Sequence, residues 1–312
     1  MEIYYKSVLL LFLIAQGLVF TTLLLVQGKV HAYRPASWLG LFLLLCCLYL
    51  TPWMLGHENW YAWDGYREVL FFIPFHQLFL LGPVVYFYVR SLLEPESRFS
   101  PKDYFHLLPA LLYLLYSGLV FVVDVFILDE FYFYADGRDK DFSPWYQISG
   151  ALSMLVYVGL AYRIYRNYRK RIFAEVSYAD GIVFGWLRQF LIALLLILTL
   201  RSLFLVFLPE WGNFGTKWWY YLVFGIIAYY IGIAGYVNTI KTVNSRYLSS
   251  INDENFNVAK PEEKAVFVDS PSTGSTESNR DTGIASEELS HEKDRLVALM
   301  EIDKLYRNPT LT

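Results

Sequence analysis

The sequence predicts an all-α membrane protein: a bundle of seven transmembrane helices, N-terminus outside and C-terminus inside, then a disordered linker and one cytoplasmic helix. Three observations predict it. Hydrophobic residues make up 56% of the 312 and charged residues only 18%, with a mean hydropathy of +0.35; a soluble chain carries about 25% charge. The apolar residues gather in stretches of about 20, enough to cross a hydrocarbon core of about 30 Å. No stretch alternates with the period of two that a membrane barrel requires, so each must satisfy its backbone internally as a helix.

The stretches are Ser7–Gln27, Ala36–Met54, Val69–Val89, Tyr104–Ile127, Pro144–Tyr165, Phe184–Leu208 and Trp218–Asn238. Their direction follows from Lys and Arg, which favour cytoplasmic links. The first link carries Lys29 and Arg34, the third Arg90, Arg98 and Lys102, and the fifth Arg163, Arg166, Arg169, Lys170 and Arg171. The second link carries Glu58, Asp64, Arg67 and Glu68. In the fourth, five acidic residues face Arg138 and Lys140, and the sixth has Lys217 alone. The odd links are therefore expected in the cytoplasm, in an inner-membrane, multi-pass protein. A signal peptide over Met1–Ala32, ending in Val30-His31-Ala32, is disfavoured. Its apolar core is too long, and cleavage would leave an Arg-rich link outside.

Seven of the nine tryptophans (Trp53, Trp60, Trp63, Trp145, Trp211, Trp218 and Trp219) fall at the outer boundary. They read as an interfacial belt, or as rings that roof an outward pocket. Cys46 and Cys47, adjacent in an apolar run, read as buried small side chains rather than a disulfide framework or metal site.

Ionisable residues at membrane depth are costly and usually face the bundle interior. His76, Asp124 and Arg201 come from three separate stretches yet share one depth, roughly 5–10 Å below the outer surface at about 1.5 Å per residue. Gln77 projects about 100° away from His76, so the two need not share a target. Two arrangements fit. One is an outward-facing polar pocket, with Arg201 as anion contact and His76 as donor or acceptor. The other is an internal Arg201–Asp124 or Arg201–Glu210 ion pair that fixes packing. The acidic run Asp136–Asp141 lacks calcium-loop spacing and reads as a solvated loop. Zincin, hydrolase and phosphate-loop motifs are absent, so neither an enzyme nor a cofactor or metal is expected. Neither an inverted repeat nor a pair of broken helices argues for a transporter.

Residues 1–246 form the membrane region in this reading. Residues 247–285, rich in Ser, Asn, Asp, Glu, Thr and Gly, form a disordered cytoplasmic linker. Residues 286–312 form a helix that Ser286 caps, Glu287 and Glu288 favour, and Pro309 ends. Leu289, Leu296, Leu299 and Met300 share one face.

Two segments carry a resemblance. Leu296 through Thr312 (LVALMEIDKLYRNPTLT) resembles the opening of an AraC-type helix-turn-helix domain: a helix, a tyrosine, a short Pro turn, then a Leu-Thr pair. Leu81-Gly82-Pro83-Val84-Val85-Tyr86-Phe87-Tyr88-Val89-Arg90-Ser91-Leu92 resembles the third-span signature of the multi-span sensors that precede such domains in Bacteroidetes-type regulators, and Pro109 after His106-Leu107-Leu108 is similar to the same group.

The resemblance implies a membrane-embedded input region of a transcription regulator that relays an outer or intramembrane signal to a tethered DNA-binding domain incomplete at Thr312. The implied partners are the lipid bilayer, an unidentified small-molecule or lipid signal, and DNA only through that domain; a homodimer stays open. No DNA-contacting residue is expected within the chain. Arg163–Arg171 read as a topology signal near anionic lipid. Two rivals remain. Ser290-His291-Glu292 is similar to a histidine-kinase phospho-acceptor box but lacks the residues that follow it, and a stand-alone transporter or membrane enzyme is the third reading.

Overall fold

A computed structural model describes residues 2–95, 99–128, 130, 132–133, 140–175, 183–206 and 218–258. The described residues are 90% helix, with no strand among them. The helices are α1 (Glu2–Val30), α2 (Arg34–His57), α3 (Asp64–Phe72), α4 (Leu78–Leu93), α5 (Leu108–Val122), α6 (Pro144–Glu175), α7 (Val183–Val206) and α8 (Trp218–Val258). α5 continues as a π-turn over Val123–Leu128. Among the described residues, five helical segments are long and apolar enough to cross a membrane: Tyr5–Val30, Arg34–His57, Leu108–Leu128, Pro144–Arg171 and Trp218–Leu248. The described residues up to Asn257 belong to one unit, Met1–Asn257. Residues 259–312, with the tail helix and the Leu296–Thr312 resemblance, lie outside the described residues. α8 runs through residues 247–258, where the sequence reading began the linker.

α2 is the axis of the bundle. It packs on α1 along one side and on α4 along another, and α4 packs in turn on α6. Leu39, Phe42, Leu43 and Leu50 of α2 are fully enclosed, together with Val84 and Val85 of α4, Leu187 and Phe190 of α7, and Ile231 of α8. Cys46 and Cys47 are buried and free, as the sequence suggested. By contrast α1, α5 and α6 carry long rows of exposed Leu, Val, Ile and Phe. Such apolar outer faces suit contact with lipid, where helices associate by close packing. At the α1–α2 corner, a Cβ on Gly28 would lie 2.9 Å from the backbone nitrogen of Ser37. Between α4 and α6, Gly82 lies against the ring of Tyr157 and Gly150 against Leu78.

The stretch read as one continuous span, Val69–Val89, is broken. α3 ends at Phe72, residues 73–77 are extended or turn-like, and α4 begins at Leu78. Pro74 lacks an N–H and biases Ile73 toward extended angles, here φ −82° and ψ 115°. Yet Pro52 and Pro83 lie inside α2 and α4 without ending either helix. A proline permits the break, and the groups around Pro74 hold it open.

Candidate functional site around a helix break

A helix break in a buried, apolar setting leaves backbone groups that must find partners within the protein. Each has one here. The carbonyl of Ile73 accepts from the N–H of Phe75 at 2.9 Å, and that of Pro74 accepts from Gln77 Nε2 at 2.7 Å. The N–H of His76 donates to Asp141 Oδ2 at 2.8 Å. Tyr146 donates its hydroxyl proton to the His76 carbonyl and accepts from the N–H of Leu78 at 3.1 Å. Tyr113 of α5 donates to the other oxygen of Asp141, and its ring stacks on Tyr146 with centroids 3.9 Å apart.

His76 itself is 0% exposed. Its Nε2 lies 3.3 Å from the carbonyl of Tyr49, and its Nδ1 lies 3.5 Å from Gln147 Nε2. A carbonyl only accepts and an amide nitrogen only donates, so these neighbours select the Nε2–H tautomer. Tyr49 and Phe142 hold the ring from either side, at centroid distances of 4.4 and 4.9 Å.

Gln147, in the first turn of α6, joins the parts. Its Nε2 donates to the Asp141 carbonyl at 2.5 Å, and its Oε1 accepts from Arg201 Nη2 at 2.5 Å. The Arg201 guanidinium also lies over the ring of Tyr49, 5.8 Å from its centre. Tyr49 shares a hydroxyl hydrogen bond with Tyr220 at 3.1 Å. The Nε of Arg201 is enclosed and has no hydrogen-bond partner, and Arg201 makes no ion pair with a described residue. It borders an enclosed cavity of about 30 Å³, also lined by Cys46, Tyr49 and Tyr220. That space fits one water molecule.

His76 and Arg201, singled out in the sequence, thus meet through Gln147. Asp124 does not join them. It is 2% exposed, lies on the π-turn after α5, and accepts from the N–H of Phe133 at 3.1 and 3.4 Å to its two oxygens. Glu210 lies outside the described residues. Gln77 turns to its own segment, as its projection suggested.

The sequence reading missed Asp141, Gln147, Tyr113 and Tyr146. Asp141 was placed in a solvated loop; it is 3% exposed, and residues 134–139 lie outside the described residues. Burial pushes its carboxyl up to about 6, against the lowering effect of the His76 N–H, the Tyr113 hydroxyl and the Phe75 N–H. The missing signal was the need of the Pro74 break for an acceptor.

The described residues also line two larger hollows. One, of about 780 Å³, lies between α3, the break and α5 and reaches Asp124 and Glu130. The other, of about 580 Å³, lies near the α1–α2 corner and is lined by Arg34, Trp38, Arg90 and Asp103. There Arg90 Nη1 meets Asp103 Oδ1 at 2.7 Å. Burial alone would raise the Asp103 carboxyl, but the Ser100 N–H and Arg90 outweigh it and hold it below the usual range.

Comparison with known protein families, with curated proteins and with solved structures found no match to this chain.

Proposed function

We propose that the chain is the membrane-embedded input region of a transcription regulator. It crosses the inner membrane seven times, N-terminus outside and C-terminal segment in the cytoplasm. α1, α2, the α3–α4 pair taken as one crossing, α5, α6, α7 and α8 supply the crossings. The observation that carries the sensory half of this reading is the Arg201–Gln147–His76–Asp141 chain wrapped around the break. A buried guanidinium with an idle donor is expensive in a low-dielectric bundle. A helix held open by side chains from two other elements is also a bistable part that a ligand can bias, provided it binds one state better. The output half rests on the resemblance of Leu296–Thr312 to the start of an AraC-type domain and of Leu81–Leu92 to the third-span signature of such sensors. A small molecule or lipid at the outer or intramembrane site shifts the packing of α4, α6 and α7, and α8 passes the change to the cytoplasmic segment.

The test uses the full gene product in its own cell. Arg201→Gln should leave the amount of protein in the membrane unchanged and alter a defined set of transcripts. A deletion strain with an unchanged transcript profile, or a full product that enriches no promoter on chromatin pull-down, overturns the regulator reading. One observation favours a second reading as a transporter: a discontinuous helix at membrane depth, although such architectures use a pair of breaks and the described residues contain one. Changed solute uptake without changed transcription would select it.

A further inference from the structure

The 780 Å³ cleft is walled on one side by Phe72, Ile73 and Pro74, the end of α3 and the break itself. Its other wall is the face of α5 that carries Leu114, Ser117 and Phe121. Phe121 and the neighbouring Val125 are exposed on the apolar outside of α5, so the cleft opens sideways toward the lipid-facing surface. A Cβ built on Gly118 meets nothing within 4 Å, so the middle of this wall borders open space.

The polar end is acidic. Asp124 and Glu130 line it, and the described residues that line the cleft include no cation. Lys140 sits over the ring of Phe133 at 4.2 Å. Among the described residues, the almost wholly buried Asp124 carboxylate accepts from one donor, the Phe133 N–H, shared between its two oxygens. A carboxylate has about four acceptor positions, so capacity remains on the side of the cleft. The volume is within the usual range of roughly 300–1,000 Å³ for a small-molecule site.

We propose that this cleft binds a long-chain amphiphile with a cationic head, a primary or quaternary amine. The chain lies against Phe72 and Phe121, and the head sits at Asp124 and Glu130. Charge complementarity selects the head; apolar walls that open to lipid select the tail. The occupant touches the break directly, and Ser117, which bonds back to the Tyr113 carbonyl at 3.0 Å, ties the same wall to the tyrosine that holds Asp141. This deepens the sensory reading by naming the class of its signal, but the binding is measured without reference to transcription.

The experiment uses the full chain in nanodiscs of zwitterionic lipid and measures thermal shift and bound probe for hexadecylamine, hexadecanol and hexadecyl phosphate. Hexadecylamine should bind at least ten-fold tighter than either analogue and raise the Tm. Asp124→Asn should remove that preference and leave weak, headgroup-independent binding. Should Asp124→Asn fail to fold, Gly118→Leu, which fills the cleft without touching the carboxylate, should abolish amine binding while the protein keeps its Tm without probe. Equal binding of amine and alcohol means that bulk acyl chains fill the groove and overturns the proposal. Retained amine preference in Gly118→Leu overturns it as well, and places the amine elsewhere.

Discussion

At the scale of single residues, two glutamines show what burial does to an amide. Gln147 links three partners, an arginine, a backbone carbonyl and a histidine, whereas Gln77 serves one carbonyl and keeps a buried Oε1 with no partner. Leaving a buried polar group unsatisfied costs about 1–3 kcal/mol. Gln147→Leu orphans several such groups, so it should lower the Tm in detergent clearly more than Gln77→Leu; equal losses would dissolve the network into ordinary packing. Asp141 gives a pH signature. Its carboxyl rises from the ordinary 3.8 to about 6 on folding. The folded state therefore holds a proton that the unfolded state releases between those values, and stability falls as pH rises from about 4 to about 6. Asp141→Asn, a neutral stand-in for the protonated acid, should flatten that part of the Tm–pH curve relative to the parent. Parallel curves would show that Asp141 does not titrate in this window.

At the scale of elements, the break between α3 and α4 contrasts with the uninterrupted prolines of α2 and α4. Pro74 is no different in chemistry from Pro52 or Pro83; only at Pro74 do Asp141, Tyr146 and Gln77 stand ready for the freed backbone groups. Pro74→Ala should therefore leave the protein folded, with a loss of about 0.4–1 kcal/mol from the looser unfolded chain, because the side chains still hold the break. A gain in stability would mean that proline alone imposes it. The α1–α2 corner depends instead on shape. Gly28→Ala drives a methyl toward a backbone nitrogen that cannot turn aside, and thermal denaturation should report a loss of about 1–3 kcal/mol, the usual penalty of overpacking.

At the scale of the whole molecule, the proposed orientation predicts where cysteines react. Cys46 and Cys47 are enclosed and give little background. Arg67→Cys should react with an impermeant thiol reagent added outside, and Lys29→Cys and Arg166→Cys only after the membrane is opened; the reverse pattern overturns the orientation. The apolar stretches were legible in the sequence because membrane length and hydropathy are properties of a segment by itself, and α1, α2, α5, α6 and α8 lie where those stretches lie. A common depth for His76, Asp124 and Arg201 is what counting along each stretch predicts. What counting leaves open is direction around the helix axis and the identity of the neighbour. Asp124 and Asp141 are both acidic and both nearly fully buried, yet Asp124 takes a loop N–H beside an apolar cleft while Asp141 caps a broken helix. The sequence by itself determined where five long apolar helices lie, since hydrophobic length is a property of each segment. Only the tertiary structure decided that His76 and Arg201 meet through Gln147 and that Pro74 breaks its helix, because a freed backbone group in an apolar bundle stays where another element brings a partner to it.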